Sequence, residues 1–220
     1  MHNPNYQLIV HEQAKSIVAE AYRILRTNLQ FAKVNGPLKT IMFTSMGPGE
    51  GKSTTVANTA IAIAQTGKRV IVIDCDLRNP ALHKIFTLSR QGLTNVLTEN
   101  LPVAQQLQTT VVPNLRVLTS GPLPPNPSEL LGSIKMIELL ETLKREADYL
   151  LVDASPVLAV TDAGVLASKV DGILMVISSG MVRPALARRT KDLLVKAKGN
   201  ILGVVLNRVE LDREEQYYYY

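Results

Sequence analysis

Short apolar runs alternate with amphipathic stretches along almost the whole chain. Ile41 to Ser45, Arg69 to Asp74, Leu115 to Leu118, Tyr149 to Asp153, Gly172 to Ile177 and Ile201 to Leu206 read as short buried strands, being apolar without the spacing of a helix. Helical spacing of apolar positions covers residues 12–33, 53–66, 133–146, 162–168 and 184–198. The alternation predicts an α/β fold, a doubly wound and mostly parallel central sheet with helices on both faces and its ligand at the carboxyl edge. Gly121-Pro122-Leu123-Pro124-Pro125-Asn126-Pro127 can form neither a regular helix nor a central strand. It is a stiff loop, and Ser128-Glu129 after it can open a helix. No internal repeat or linker divides the chain, so one domain is expected over 1–211, with a helical segment at about 12–33 and a flexible tail at 212–220.

The chemistry begins between the first strand and the second helix. Gly47-Pro48-Gly49-Glu50-Gly51-Lys52-Ser53-Thr54-Thr55 is a glycine-rich phosphate loop in its proper context. Glycines let consecutive N–H groups turn inward around a phosphate, and the following helix adds the positive end of its dipole. Gly49, Glu50, Gly51, Lys52, Ser53 and Thr54 are therefore expected to hold the phosphates of ATP. Lys52 would neutralise the β and γ phosphates, and the Ser53 hydroxyl would ligate Mg²⁺. The usual loop has glycine where this chain has Met46, so only the second half of the motif matches.

Two further strands end in acid. Val70-Ile71-Val72-Ile73 runs into Asp74 and Asp76, and Leu150-Leu151-Val152 runs into Asp153. In a parallel sheet these ends lie near the phosphate loop, where Asp76 and Asp153 can gather with Ser53 around one Mg²⁺. Acids at strand ends also serve as turn residues, and it is their combination with the loop that favours a metal site. Cys75 points to the other face and reads as core.

Composition narrows the class. With 220 residues, 46% of them hydrophobic, the chain can bury roughly 70% of its unfolded surface in one domain. A single cysteine and no secretory leader suit a reducing cytosol. Every apolar stretch falls far short of the ~20 residues that span a bilayer. The net charge of +5 allows acidic partners, but basic residues interleaved with aromatics are missing, so no nucleic-acid binding is expected. Basic residues do cluster at 183–198, with Arg183, Arg188, Arg189, Lys191, Lys196 and Lys198 against Asp192. That face is either simply solvated or meets an acidic partner or the membrane surface. His2, His11 and His83 show no metal-ligand spacing. Four of the seven tyrosines, Tyr217, Tyr218, Tyr219 and Tyr220, close the chain, where no core needs them. They read as phenol hydroxyls that can be delivered to an active site, or as an interaction strand.

These motifs together resemble the bacterial protein-tyrosine kinases, which are related to the MinD and ParA group of P-loop ATPases. Pro48 to Thr54 resembles the family's Walker A, Ile73-Asp74-Cys75-Asp76-Leu77-Arg78 its Walker A′, Leu150 to Asp153 its Walker B, and Tyr217 to Tyr220 its autophosphorylation cluster. Asp153-Ala154-Ser155-Pro156 stands where two prolines commonly follow the acid, which affects only the loop conformation. Glu20-Ala21-Tyr22-Arg23-Ile24-Leu25-Arg26 is similar to the family's Glu-x-x-Arg-x-x-Arg pattern. Spacing alone puts Glu20, Arg23 and Arg26 along one side of a helix, with Ile17, Ala21, Ile24, Leu25 and Leu29 on the other.

The resemblance implies an ATP- and Mg²⁺-dependent transfer of the γ-phosphoryl group to tyrosine, with Asp74 as base and Lys52 and Asp76 in the catalytic set. It implies a homo-oligomeric ring of eight held through Glu20, Arg23 and Arg26, in which each tail reaches a neighbour. It also implies a cytoplasmic protein recruited to the inner membrane face by the cytoplasmic tail of a transmembrane activator. Control of capsular or extracellular polysaccharide follows, with sugar-nucleotide enzymes or glycosyltransferases as substrates. Asn207 resembles the position that holds adenine in MinD-like ATPases. Arg78 either steadies a phosphate or pairs with an acid. Two other functions fit the same nucleotide residues, a MinD/ParA-like ATPase switch and a non-catalytic ATP-binding subunit of a polysaccharide assembly complex. The switch is disfavoured by Gly47 where that group has a signature lysine, and by a tyrosine tail in place of an amphipathic helix.

Overall fold

The computed structural model describes residues 7–32, 38–180 and 183–210. One sheet contains β1 (Thr40–Ser45), β2 (Val70–Cys75), β3 (Gln108–Thr109), β4 (Leu115–Leu118), β5 (Tyr149–Ala154), β6 (Gly172–Ser178) and β7 (Ile201–Asn207). Their order across it is β3-β4-β2-β5-β1-β6-β7, parallel throughout except for β3 against β4. The first helices are α1 (Ile9–Glu12), α2 (Ile17–Phe31), α3 (Lys52–Ala64), α4 (Leu82–Ile85) and α5 (Leu93–Glu99). They are followed by α6 (Val103–Gln106), α7 (Pro127–Gly132), α8 (Ile134–Glu146), α9 (Asp162–Ala167) and α10 (Pro184–Lys196). The expected doubly wound α/β architecture is the one observed.

All six expected strands form, each within a residue of its sequence limits. β3 was not expected, because two residues on an antiparallel edge carry no periodic signal. The helix expected from residue 12 starts only at Ile17. The Ser16 hydroxyl accepts from the Ala19 amide at 3.1 Å and caps α2, while the residues before it form the separate α1. Buried Asn58 on α3 holds that segment, accepting from the Val10 amide and donating to the Gln7 carbonyl, both at 3.0 Å.

Side-chain alternation along β2 builds a core on each face. Val70 and Val72 pack with α1 to α4, whereas Ile71, Ile73 and Cys75 pack with α5 to α10. Cys75 is therefore core, as its position in the strand predicts. Asp74 continues the α3 side of the alternation and lies in register with Asp153 on β5. Strand register thus brings two acids side by side at the carboxyl edge, beneath the start of α3. At the opposite margin, β7 leaves Val204 and Leu206 more than half exposed.

Candidate active site

Between Ser45 and Lys52 the chain turns through glycines whose backbone geometry decides the loop's shape. Gly49 and Gly51 have φ of +78° and +86°, the left-handed region that a Cβ disfavours. At Gly51 the limit is also steric, since an added Cβ would stand 2.0 Å from Asn207 Nδ2. That amide donates to the Glu50 carbonyl oxygen at 2.9 Å, so the end of β7 braces the loop. Glu50 folds back, its Oε1 accepting from the Gly47 amide at 2.7 Å. Met46, where the usual loop has glycine, has its side chain in the core. The cleft above the loop has a volume of ≈ 380 Å³ and is bordered by Gly47 to Thr54 together with Asp76, Asn79 and Arg208.

Lys52 reaches from the first turn of α3 into a nest of oxygens. Its ammonium forms a close ion pair with Asp153 Oδ1, lies 3.5 Å from Asp76 Oδ2 and donates to Ser53 Oγ at 3.3 Å. Burial alone would favour the neutral amine, but the charges of Asp153 and Asp76 outweigh it and raise its pKa. Asp153 Oδ2 and Glu50 Oε2 are buried without a hydrogen-bond partner. Orphaned carboxylate oxygens are costly unless a ligand completes them. With the Ser53 hydroxyl and Asp76, Asp153 supplies the hard oxygen donors that suit Mg²⁺. Among the described residues no group of three or more acidic, histidine or cysteine side chains forms a metal cage.

Asp74 behaves differently from Asp76. Its Oδ2 accepts from the amides of Ala81 and Leu82 at 3.1 and 3.0 Å, and its Oδ1 from the Asp76 amide at 3.2 Å. Fully buried, it does not border the cleft. Burial, and then the charge of Asp153, push its pKa up to about 8. The amides fix its orientation, while burial, and then the Asp153 charge that the strand register sets beside it, raise its proton affinity.

Arg78 pairs with an acid, but with none of the three at the strand ends. Its Nε and Nη2 donate to Asp162 Oδ2 and Oδ1 at 2.9 and 3.2 Å, and Ser128 Oγ makes a close hydrogen bond to Oδ1. Burial would raise the Asp162 pKa, but the Arg78 and Ser128 hydrogen bonds hold it below the usual carboxylate range. Ser155 Oγ lies between this corner and the cleft, donating to Asp76 Oδ1 at 2.9 Å, with Asp162 Oδ2 3.4 Å away. Sequence reasoning missed Asp162 because Thr161-Asp162 looks like an ordinary helix start. The only local hint was Ser155 in the loop after Asp153.

The α2 pattern divides. Arg23 Nη1 donates to Glu20 Oε2 at 2.8 Å on the outer surface, and Arg23 Nη2 donates to the Ala14 carbonyl. Arg26 instead turns inward and donates to the Ala62 carbonyl of α3 at 3.1 Å. Three-residue steps lag a full turn by about 60° each, so two of them carry Arg26 off the Glu20 side. Ala21 and Ile24, which spacing puts on the side away from Glu20, are exposed as well. On α10, Thr190 and Leu194 are buried and the basic side chains are exposed. The tail with Tyr217 to Tyr220 lies outside the described residues.

Residues 41–219 match the CobQ/CobB/MinD/ParA nucleotide binding domain. Over 214 residues the chain is 44% identical to tyrosine-protein kinase YwqD of Bacillus subtilis (strain 168), covering 97% of this chain and 90% of that protein. The chain belongs to the bacterial tyrosine-protein kinases. Among solved structures, the chimerical protein CapA2B2 superimposes on this kinase with a TM-score of 0.88 at 38% identity, over 93% of this chain and 90% of that one. The septum site-determining protein MinD from Pyrococcus horikoshii OT3, complexed with Mg-ADP, shares the fold. Its TM-score is 0.66 at 23% identity, over 80% of this chain and 73% of that one. The kinase is thus a nucleotide-binding P-loop enzyme that phosphorylates tyrosine. Among its described residues no helix is long and apolar enough to cross a membrane.

Proposed function

We propose that the kinase transfers the γ-phosphoryl group of ATP to Tyr217, Tyr218, Tyr219 and Tyr220 of a neighbouring copy. The observation that carries this reading is the cluster of Lys52, Ser53, Asp76 and Asp153 opening into the cleft at the start of α3. Phosphoryl transfer asks a protein chiefly for positioning and charge stabilisation. The loop amides and Thr54 hold the phosphates, and Lys52 leaves its carboxylates to neutralise the β and γ groups. Ser53, Asp76 and Asp153 would hold Mg²⁺, which when bound offsets charge on the transferring group. Asn207, whose amide donates to the Glu50 carbonyl oxygen beside Gly51, would meet the base of the nucleotide. Asp74 accepts the tyrosine proton, a task for which its raised pKa is suited. Its burial means that the hydroxyl must enter past Asp76.

Transfer between copies requires assembly, and the proposed contact is a ring built through the outer face of α2, with Glu20 and Arg23 at its surface and Arg26 supporting the helix from within. Each added phosphate brings close to two negative charges, so a fully phosphorylated tail repels itself and leaves the neighbour's site. A transmembrane activator, docking through its cytoplasmic tail, would hold the ring at the inner membrane face. There it would govern extracellular polysaccharide synthesis through enzymes such as sugar-nucleotide enzymes or glycosyltransferases.

Mixing separates transfer between copies from transfer within one. Lys52→Met protein with its tyrosines intact is combined with Lys52 protein carrying Tyr217→Phe, Tyr218→Phe, Tyr219→Phe and Tyr220→Phe, together with γ-labelled ATP. Label on the tail of the Lys52→Met protein is the expected result. A labelled tail in unmixed wild type, with none in the mixture even after subunit exchange, would overturn transfer in trans.

A further inference from the structure

Four polar side chains from separate segments meet beside the cleft at residues to which no role in metal binding has been given. Arg78 follows β2, Ser128 is the second residue of α7, Ser155 follows β5 and Asp162 starts α9. Asp162 is fully buried, and its two oxygens are occupied by the fork of Arg78 and by the Ser128 hydroxyl. A buried carboxylate with that many donors is fixed in position. The hydroxyl of Ser155 has one hydrogen and two acid neighbours, Asp76 at 2.9 Å and Asp162 at 3.4 Å. It goes to the nearer one.

We infer that Arg78, Asp162 and Ser155 form a relay that positions the Asp76 carboxylate for Mg²⁺, with Arg78 acting through Asp162 and not on the phosphates. The inference rests on Asp76 being a ligand of that ion. Its logic is competition for one hydrogen. Because Arg78 and Ser128 satisfy Asp162, the Ser155 hydroxyl is left to donate to Asp76 Oδ1, so the side of Asp76 that carries Oδ2 faces Lys52 and the cleft. Without Arg78, Asp162 becomes a hungrier acceptor and draws the hydroxyl away. Without the hydroxyl, the support left to Oδ1 among the described residues is the Asn79 amide at 3.1 Å. Outer hydrogen bonds of this kind orient metal ligands and their loss commonly weakens the metal about tenfold or more.

The test reads metal and nucleotide separately from phosphotransfer. A fluorescent ADP analogue is titrated onto the full chain, first in EDTA and then at rising Mg²⁺, for wild type, Asp76→Asn, Ser155→Ala, Arg78→Gln and the Ser155→Ala/Arg78→Gln pair. Ser155→Ala is expected to raise the half-saturating Mg²⁺ about tenfold while leaving affinity in EDTA unchanged. Arg78→Gln should shift it in the same direction, and the double variant should match Ser155→Ala alone, since Arg78 acts through that hydroxyl. Ser155→Ala is small and keeps the fold testable should Arg78→Gln unsettle Asp162. An unchanged half-saturation in Ser155→Ala beside a raised one in Asp76→Asn overturns the relay and leaves the metal reading standing. Additive shifts in the double variant, or an Arg78→Gln loss already present in EDTA, also overturn it, placing Arg78 on the nucleotide. No shift in Asp76→Asn overturns both the relay and the metal role of Asp76.

Discussion

At the carboxyl edge of the sheet Lys52, Asp74, Asp76, Asp153 and Asp162 are buried and each is held by named partners, whereas along α2 and β7 charge is exposed and apolar side chains face outward. Val18, Ile24, Val204, Leu206 and Val209 are all between 43% and 56% exposed there, beside the Glu20–Arg23 pair. The contrast teaches where each kind of function can reside. Charges inside the protein interact strongly and tolerate little displacement, which is what phosphoryl transfer needs. Charges on the surface are screened and contribute little to the fold, which leaves them free to select a partner. Changes at the edge should therefore alter nucleotide and chemistry without altering association, and changes on α2 should do the reverse.

The sharpest break at the edge is Gly51→Ala. Left-handed backbone and the Asn207 amide both oppose a Cβ there, so nucleotide affinity should fall about 100-fold, read by titrating a fluorescent ADP analogue. Gly49→Ala meets only the backbone cost, having nothing within 4 Å, and should lose about tenfold at most. Equal losses in the two would show that Asn207 does not brace the loop.

The next effect is a pH dependence. Because the folded-state pKa of Asp74 is raised from 3.8 to about 8, the folded protein binds a proton that the unfolded chain has released across that interval. Its contribution to stability is complete below 3.8 and is lost as pH rises towards about 8. Thermal melts of the nucleotide-free protein from pH 6 to 8.5 should fall, with a slope no steeper than about 1.4 kcal/mol per pH unit for one group. Asp74→Asn should flatten that fall. A slope unchanged by the substitution would assign the proton to another group, Asp153 being the neighbour that competes for it.

How much of this could be read in advance divides along the same line. The loop, β2 and β5 announce their chemistry locally, since glycine spacing and strands running into acid are contiguous in sequence. Lys52, Ser53, Asp76 and Asp153 therefore meet as expected. Asp162 became visible only when α9 was brought against the segment after β2, because its partners Arg78 and Ser128 lie 84 and 34 residues away in the chain. The burial of Asp74 behind Asp76 depended likewise on Ala81 and Leu82 folding back over it. On α2 the Glu-x-x-Arg-x-x-Arg spacing located the helix but not the inward turn of Arg26, which needs α3 as a partner. β3 was too short to leave any pattern.

The smallest expected change lies on the outer surface. Glu20→Ala with Arg23→Ala removes an exposed pair, so stability should shift by less than about 1 kcal/mol and ADP-analogue affinity should stay as in wild type. Light scattering after size exclusion should nevertheless show smaller assemblies. An oligomer of unchanged size would remove α2 from the proposed ring, and a fall in nucleotide affinity would show that the two regions are not independent.

The most direct test of the whole account is to incubate the purified chain with Mg²⁺ and γ-labelled ATP, alone and with activator tails, and to map phosphate by mass spectrometry beside Lys52→Met. Label on Tyr217 to Tyr220 that disappears in Lys52→Met is the predicted result. Phosphate released only to water, with no tyrosine labelled even in the presence of an activator tail, would contradict it.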